Sequence, residues 1–364
     1  MRLARFGFPK GILSVLSAVV LSGITASAQT LENLDEIGVT LLRAMTTNVN
    51  GSGIRVAQTE AELSTNPPTW EVDPANVGQP ESRFSYFSSA GSATTYPNGL
   101  GTNSWHAETV ATNFYGPAAG VATNIAHVDN YEADYFFNSV INALTPPNIN
   151  DAVVNQSFIF TGGTISQQQI DSAYDNYAAQ YDVLFVSGAG NGGPVNPPST
   201  CYNGISVGVS DGTSSYGPTL DNGRSKPDLI APGIGTSFST PYVAGAAAAL
   251  LQAAARGDGG SDTNSAADRR TIKALLLNGA VKPAGWTNST AAPLDTRYGA
   301  GVLNVFNAYE QLAGGKHGYL AASSVAIGGA HPPPGAAGSN DTWQLAAGNE
   351  IRSAVPAQST PGDR

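Results

Sequence analysis

Apolar positions recur along this chain in two rhythms, one of helical period and one of strand-like runs. In "LENLDEIGVTLLRAM", Leu31, Leu34, Ile37, Leu41 and Leu42 fall at helical spacing, which predicts a helix packed on the domain. "GSGIRVAQTEAEL" predicts a turn and then a short strand from Ile54 to about Glu60. Residues 61–104, rich in Pro, Ser, Gly and Asn, predict a long irregular excursion of the kind that often lines a binding site. Beyond it, strands and helices alternate. "HAETVATNFYG" predicts a helix, "NIAHV" a strand, "YFFNSVINAL" a helix with Phe136, Phe137, Val140, Ile141 and Leu144 on one side, and "DAVVNQSFIF" a strand. "QQQIDSAYDNYAAQ", with Ile170, Tyr174 and Tyr177 in register, predicts a helix followed by the strands "DVLFVSG" and "GISVGVS". The segment after Pro241, "RRTIKALLLNGA" and "VFNAYEQLA" supply three more helices.

Alternation of this kind implies parallel strands joined by right-handed crossovers. The expected fold class is α/β, a three-layer α/β/α sandwich around a mostly parallel central sheet. Ligands in such sheets sit at the carboxyl ends of the strands.

Both ends of the chain depart from the alternation. Residues 1–28 read as a secretory signal, with Arg2, Arg5 and Lys10 at the charged start, Ile12 to Ile24 apolar, and Ala26-Ser27-Ala28 as a small-residue cleavage site. The apolar stretch is shorter than the roughly 20 residues of a spanning helix. The tail from Gly314 to Arg364 carries "HPPPGAAGSND" and no sustained period, which suits a linker. The expected organisation is therefore a signal at 1–28, a helical segment at 29–50, one large domain at 51–313 and a tail or linker at 314–364.

Composition narrows the function. With 364 residues, 41% of them hydrophobic, the chain is long enough to bury a large core. Only 12% are charged, about half of the roughly 25% usual in soluble proteins, which suits an exported protein with an uncharged polar surface. A formal net charge of −10 with no basic cluster argues against nucleic acid or anionic lipid as a partner. The expectation is a secreted monomer, extracellular or periplasmic, off the membrane once the signal is removed. Cys201, the one cysteine, has no intramolecular partner and precedes an apolar strand, so it reads as a packed, inert thiol.

The candidate chemistry starts at residues 235–245, "GTSFSTPYVAG". Gly235 permits a tight turn, Pro241 is pre-set for a first helical turn, and Ala246 to Ala249 allow close helix-on-sheet packing. Ser237 then stands at a helix N-terminus, where developing negative charge is favoured. The bland reading is an N-cap serine before an alanine helix. The segment resembles the nucleophile segment of the subtilisin-like serine peptidases.

That resemblance implies a fold, an activity and a set of partners for the serine. "SWHAETVA" resembles the family's histidine segment with His106 at its first position, although Ala107 and Glu108 replace a Gly-Thr pair. Of the four histidines, His127 is expected mid-strand, and His317 and His331 in or near the tail. "VLFVSGAGNGG" resembles the strand and turn presenting the oxyanion-hole asparagine, here Asn191, which would act with the Ser237 backbone N–H. Where the family has an aspartate at the end of its first strand, "VAQTEAE" places Glu60, with Gln58 at a usually apolar position. Glutamate can orient an imidazole as aspartate does, at the cost of about 1.5 Å of adjustment for its extra methylene. Glu62 and Asp129 are the alternatives.

Further implications concern the cleft. Ser157, Phe158 and Gly190 fall at substrate-binding positions, and Ile159 replaces a glycine, a bulk expected to alter or narrow the cleft. "KPDLIAPG" runs almost directly into "IGTS", which implies a lower wall near Ser237. Residues 29–53 leave no room for an inhibitory propeptide domain of the usual family size. The resemblance thus implies a secreted serine endopeptidase acting on polypeptides through an acyl-enzyme, with no cofactor; any structural calcium would be held by scattered oxygens and no compact ligand motif is present. A catalytically silent binding domain and an esterase are the competing expectations.

Overall fold

The computed structural model describes residues 32–324, apart from 163–164, 222–223 and 290–291. In chain order the strands are β1 Arg55–Glu60, β2 Thr69–Glu71, β3 Phe84–Ser88, β4 Gly91–Ala93, β5 Thr102–Asn103, β6 His127–Glu132, β7 Val153–Gln156, β8 Leu184–Gly188, β9 Ile205–Val209, β10 Gly217–Pro218, β11 Ser225–Lys226 and β12 Leu229–Ala231. Eight of them form one sheet in the order β12-β9-β8-β7-β1-β6-β3-β4. Every pairing in it is parallel except β3 with β4.

Successive side chains of a strand face opposite sides of a sheet, and β1 feeds two separate cores in this way. Val56 joins a large apolar cluster with the helices Trp105–Tyr115, Thr236–Ala255, Arg269–Gly279 and Val305–Ser324. Ala57 joins a second cluster with Phe136, Phe137, Ile170, Tyr174 and Tyr177 from the other side. The molecule is therefore the three-layer α/β/α sandwich expected from the sequence.

The helix carrying Ser237, Thr236–Ala255, lies against the sheet and is buried along almost its whole length. It crosses the helix carrying His106, Trp105–Tyr115, at Gly245, where a Cβ would come within 2.7 Å of Val121 Cβ and 3.1 Å of the Phe114 carbonyl. Only a residue without a side chain lets the two helices approach this closely. That approach places the amino-terminal turns of both near the carboxyl ends of β1 and β8.

Several sequence expectations are corrected. The excursion at 61–104 contains β3 and β4, which extend the central sheet; the alternation in "FSYFS" fully buries only every second residue, as a strand with one well-covered face does. β6 takes in only the last two residues of "NIAHV" and runs on through the buried polar residues Asp129, Asn130 and Glu132, so His127 opens the strand and does not lie in its middle. The first helix is interrupted at residues 37–38, because Gly38 takes a φ of 73° that L side chains avoid. Pro241 lies within the second turn of its helix and not the first, since that helix begins at Thr236. The last helix runs on past Gly314 to Ser324. The predicted signal at 1–28 and the remainder of the tail, including His331, lie outside the described residues.

Candidate active site

Glu60 ends β1, fully buried, with its carboxylate shared between two donors. Its Oε2 is 2.7 Å from Nδ1 of His106, and its Oε1 accepts from Gln58 Nε2 at 2.7 Å. The Ser104 hydroxyl caps the histidine helix by accepting from the Ala107 N–H at 3.3 Å, which sets His106 at the second helical position. With Nδ1–H committed to a carboxylate, the lone pair of the imidazole is on Nε2. Nε2 is buried and has no hydrogen-bond partner among the described residues.

Ser237 sits in the first turn of its helix, behind Gly235, and is buried to 9% exposure. Its hydroxyl donates to the Ser157 carbonyl at 3.1 Å and not to His106. The ring of the following Phe238 is 5.7 Å from that of His106 and 6.3 Å from the exposed Trp105, so nucleophile and imidazole share one aromatic wall. The Ser237 backbone N–H, one of the first-turn donors a helix leaves unused, has no protein acceptor among the described residues.

Asn191 follows β8 on a turn made possible by Gly190, whose φ is 108° and whose Cβ, if present, would lie 2.7 Å from Ser215 Oγ. The Asn191 Oδ1 accepts from the Thr236 N–H at 2.8 Å and from its hydroxyl at 3.1 Å. Its Oδ1 is thereby anchored to the start of the serine helix, and Nδ2 has no protein partner among the described residues. Asn191 and Ser237, each with an N–H free of protein partners among the described residues, are thus tied to the same first turn of one helix.

Residues 157–160 and the Gly190 turn approach each other next to Ser237. Ile159 Cδ1 comes within 3.8 Å of where a Gly190 Cβ would be, so this side chain reaches the Gly190 turn. Phe158 packs edge-on to Phe160, with ring centroids 5.4 Å apart, and is largely buried. Ser157 points inward, its hydroxyl donating to the Ser237 carbonyl at 2.9 Å.

The alternative carboxylates are engaged elsewhere. Asp129 pairs with Arg55 at 2.9 Å and with His127 Nε2 at 3.2 Å, near the opposite end of β1. There the buried Asp151 carboxyl is pushed well up by desolvation and by the adjacent Asp129 charge. Burial lowers His127, with Asp129 opposing. Glu62 follows β1 and acts on Glu132, whose carboxyl burial pushes up to about 7. The Cys201 thiol is buried and raised to about 11 by desolvation, which keeps it protonated and inert. Among the described residues no group of three or more His, Cys, Asp or Glu side chains is arranged to hold a metal ion. No helix among them is long and apolar enough to cross a membrane.

Sequence reasoning gave no role to Gln58 beyond its being a departure, and none to Tyr115. The signal was available in part: Gln58 stands two positions before Glu60 on a strand, and such residues share a face.

Residues 80–301 match the model of the subtilase family. The matched segment begins after β1, so Glu60 lies outside it. Among solved structures, the chain is similar to a protease from Pseudoalteromonas arctica PAMC 21717, at 20% identity over 78% of this chain and 97% of that one, with a TM-score of 0.54. A lanthipeptide protease matches at 16% identity over 79% of this chain and 96% of that one, TM-score 0.53. A mutant of the protease domain of PatA matches at 21% identity over 74% of this chain and 99% of that one, TM-score 0.51. At these identities the likeness is one of fold.

Proposed function

The chain belongs to the subtilase family and is a serine-type peptidase, and from that premise we propose that it is an endopeptidase working through a Ser237-His106-Glu60 triad. The observation that carries this reading is the 2.7 Å contact of Glu60 Oε2 with His106 Nδ1, which leaves the buried, unpartnered Nε2 as the only free base on the ring. The reading requires the Ser237 hydroxyl to leave the Ser157 carbonyl and turn to that nitrogen when substrate binds. Catalytic hydrogen bonds are commonly completed only when substrate is bound.

In the proposed reaction the Ser237 hydroxyl attacks the scissile carbonyl while Nε2 takes its proton. Glu60, buried and adjacent, balances the imidazolium that forms. The oxyanion accepts from Asn191 Nδ2 and the Ser237 N–H, donors fixed before the reaction and so costing no reorganisation when charge develops. Nε2 then returns the proton to the departing amine, and water, activated by the same nitrogen, releases the acyl group from Ser237.

On the acyl side, Ser157, Phe158 and Gly190 line the approach, and Ile159 limits the depth available to a substrate side chain. Small residues should fit best before the scissile bond. The signal-like residues 1–28 and the sparsely charged composition support an exported protein.

A catalytically silent binding domain is the competing reading, favoured by the Ser237 hydroxyl resting on Ser157 and not on His106. Incubating the purified protein and its Ser237→Ala variant with a panel of peptides and matched esters separates the two. Cleavage of peptides by the parent only supports the endopeptidase. Ester hydrolysis alone makes it an esterase, and no turnover of either leaves the binding domain.

A further inference from the structure

β1 presents two buried polar side chains on the face towards the histidine helix, Gln58 and Glu60. The carboxamide of Gln58 is fully used. Its Oε1 accepts from the Tyr115 hydroxyl at 2.7 Å, and its Nε2 donates to Glu60 Oε1 at 2.7 Å and to the Ala107 carbonyl at 2.9 Å. These contacts allow one amide orientation only, because Oε1 faces a donor and Nε2 faces two acceptors.

The partners belong to both ends of one helix: Ala107 follows His106, and Tyr115 is the helix's last residue. Gln58 therefore ties the acid and the helix carrying the imidazole to the same point. Each Glu60 oxygen has its own donor, Gln58 on one side and His106 on the other. Glutamate has one more rotatable bond than aspartate, and a group held by a single contact can swing about it. The second contact removes that freedom.

We propose that Gln58 is a positioning residue of the triad, its carboxamide fixing the Glu60 carboxylate and the His106 helix in the one arrangement that aims Nε2 at Ser237. The inference rests on the reading of Glu60 as the triad acid. Tyr115 acts one step further out by holding the amide in its donating orientation; its own hydroxyl, fully buried, is raised well above its ordinary value and stays a donor.

Two variants of the full chain test this, Gln58→Leu and Gln58→Asn, the second keeping an amide but shortening its reach by one methylene. Gln58→Leu is expected to lower kcat roughly 10- to 100-fold, the scale of a misplacement of about 1 Å, with KM within about threefold of the parent. The Nδ1 proton resonance of His106, which a short bond to a carboxylate carries far downfield, should move upfield or broaden away in both variants. Tyr115→Phe removes the donor that orients the amide while leaving Gln58 itself, so kcat should fall in the same direction but by less than in Gln58→Leu. A purely structural glutamine predicts a lower melting temperature with kcat per folded molecule and the downfield proton unchanged, and that result in either variant overturns the proposal. Should the parent hydrolyse no peptide while the proton still moves in the variants, the endopeptidase reading fails and the positioning of Glu60 by Gln58 stands.

Discussion

Ser157 and Ser237 are joined by two hydrogen bonds of opposite sense, the Ser157 hydroxyl donating to the Ser237 carbonyl at 2.9 Å and the Ser237 hydroxyl donating to the Ser157 carbonyl at 3.1 Å. Pro241 explains the first. It stands four residues after Ser237 and has no N–H, so the Ser237 carbonyl has no helical donor and takes one from across the cleft. A helix defect thereby fastens the segment after β7 to the first turn of the serine helix.

Ser157→Ala leaves that carbonyl buried and unpaired, at a cost of about 1–3 kcal/mol. Adding Pro241→Ala restores a helical N–H, and the double variant should regain most of the loss in urea unfolding. An equal cost of Ser157→Ala with Pro241 and with Ala at that position contradicts the assignment.

The Asn191 oxygen anchors the serine helix, and its N–H₂ is the proposed oxyanion donor. Asn191→Asp keeps the oxygen and removes the donor. Steady-state kinetics should show kcat lower by roughly 10²–10³, the range for one oxyanion donor, with the melting temperature nearly that of the parent. A kcat within a fewfold of the parent assigns the oxyanion to other groups.

Ile159 reaches the Gly190 turn, and under the proposed function its removal should change what is accepted before the scissile bond. For a peptide series varied before the scissile bond, the parent should favour Gly, Ala and Ser, and Ile159→Gly should raise kcat/KM for Leu and Phe by about tenfold or more, the scale of a pocket side-chain fit. An unchanged ranking removes Ile159 from the acyl-side pocket.

Glu71 makes stability depend on pH. Burial raises its carboxyl from 4.5 to about 7, so the folded chain holds a proton that the unfolded chain has lost above its ordinary value. The stability linked to this group is full below about 4.5 and falls as pH rises through about 7. Glu71→Gln should therefore stabilise the protein at pH 8 by on the order of 1–3 kcal/mol and leave it unchanged at pH 4. Equal effects at both values contradict the sign.

The long apolar rhythms made the layers readable in advance. Strands buried on both faces, such as β8 and β9, and the alanine-rich serine helix have patterns that their own burial dictates. β3 and β6 were less legible because their places depend on neighbours: β6 carries Asp129, Asn130 and Glu132 inward, and each is satisfied by partners distant in sequence or by the turn that follows. Ser237, His106, Asn191 and Glu60 could be nominated from their short segments. The part played by Gln58 could not, since its meaning comes from Tyr115 and Ala107 arriving on a helix that begins some forty-five residues later. The Ser157 contact was hidden for the same reason, because the vacancy left by Pro241 is filled from another segment.

The central claim is that Ser237 is a nucleophile activated by His106 held on Glu60, and a fluorophosphonate probe reads it directly. Treated with the probe and mapped by mass spectrometry, the folded parent should carry the adduct on Ser237, with labelling slowed by about 10³ or more in His106→Ala and absent in Ser237→Ala. A folded protein that gains no adduct at Ser237, or one labelled equally fast without the imidazole, contradicts it.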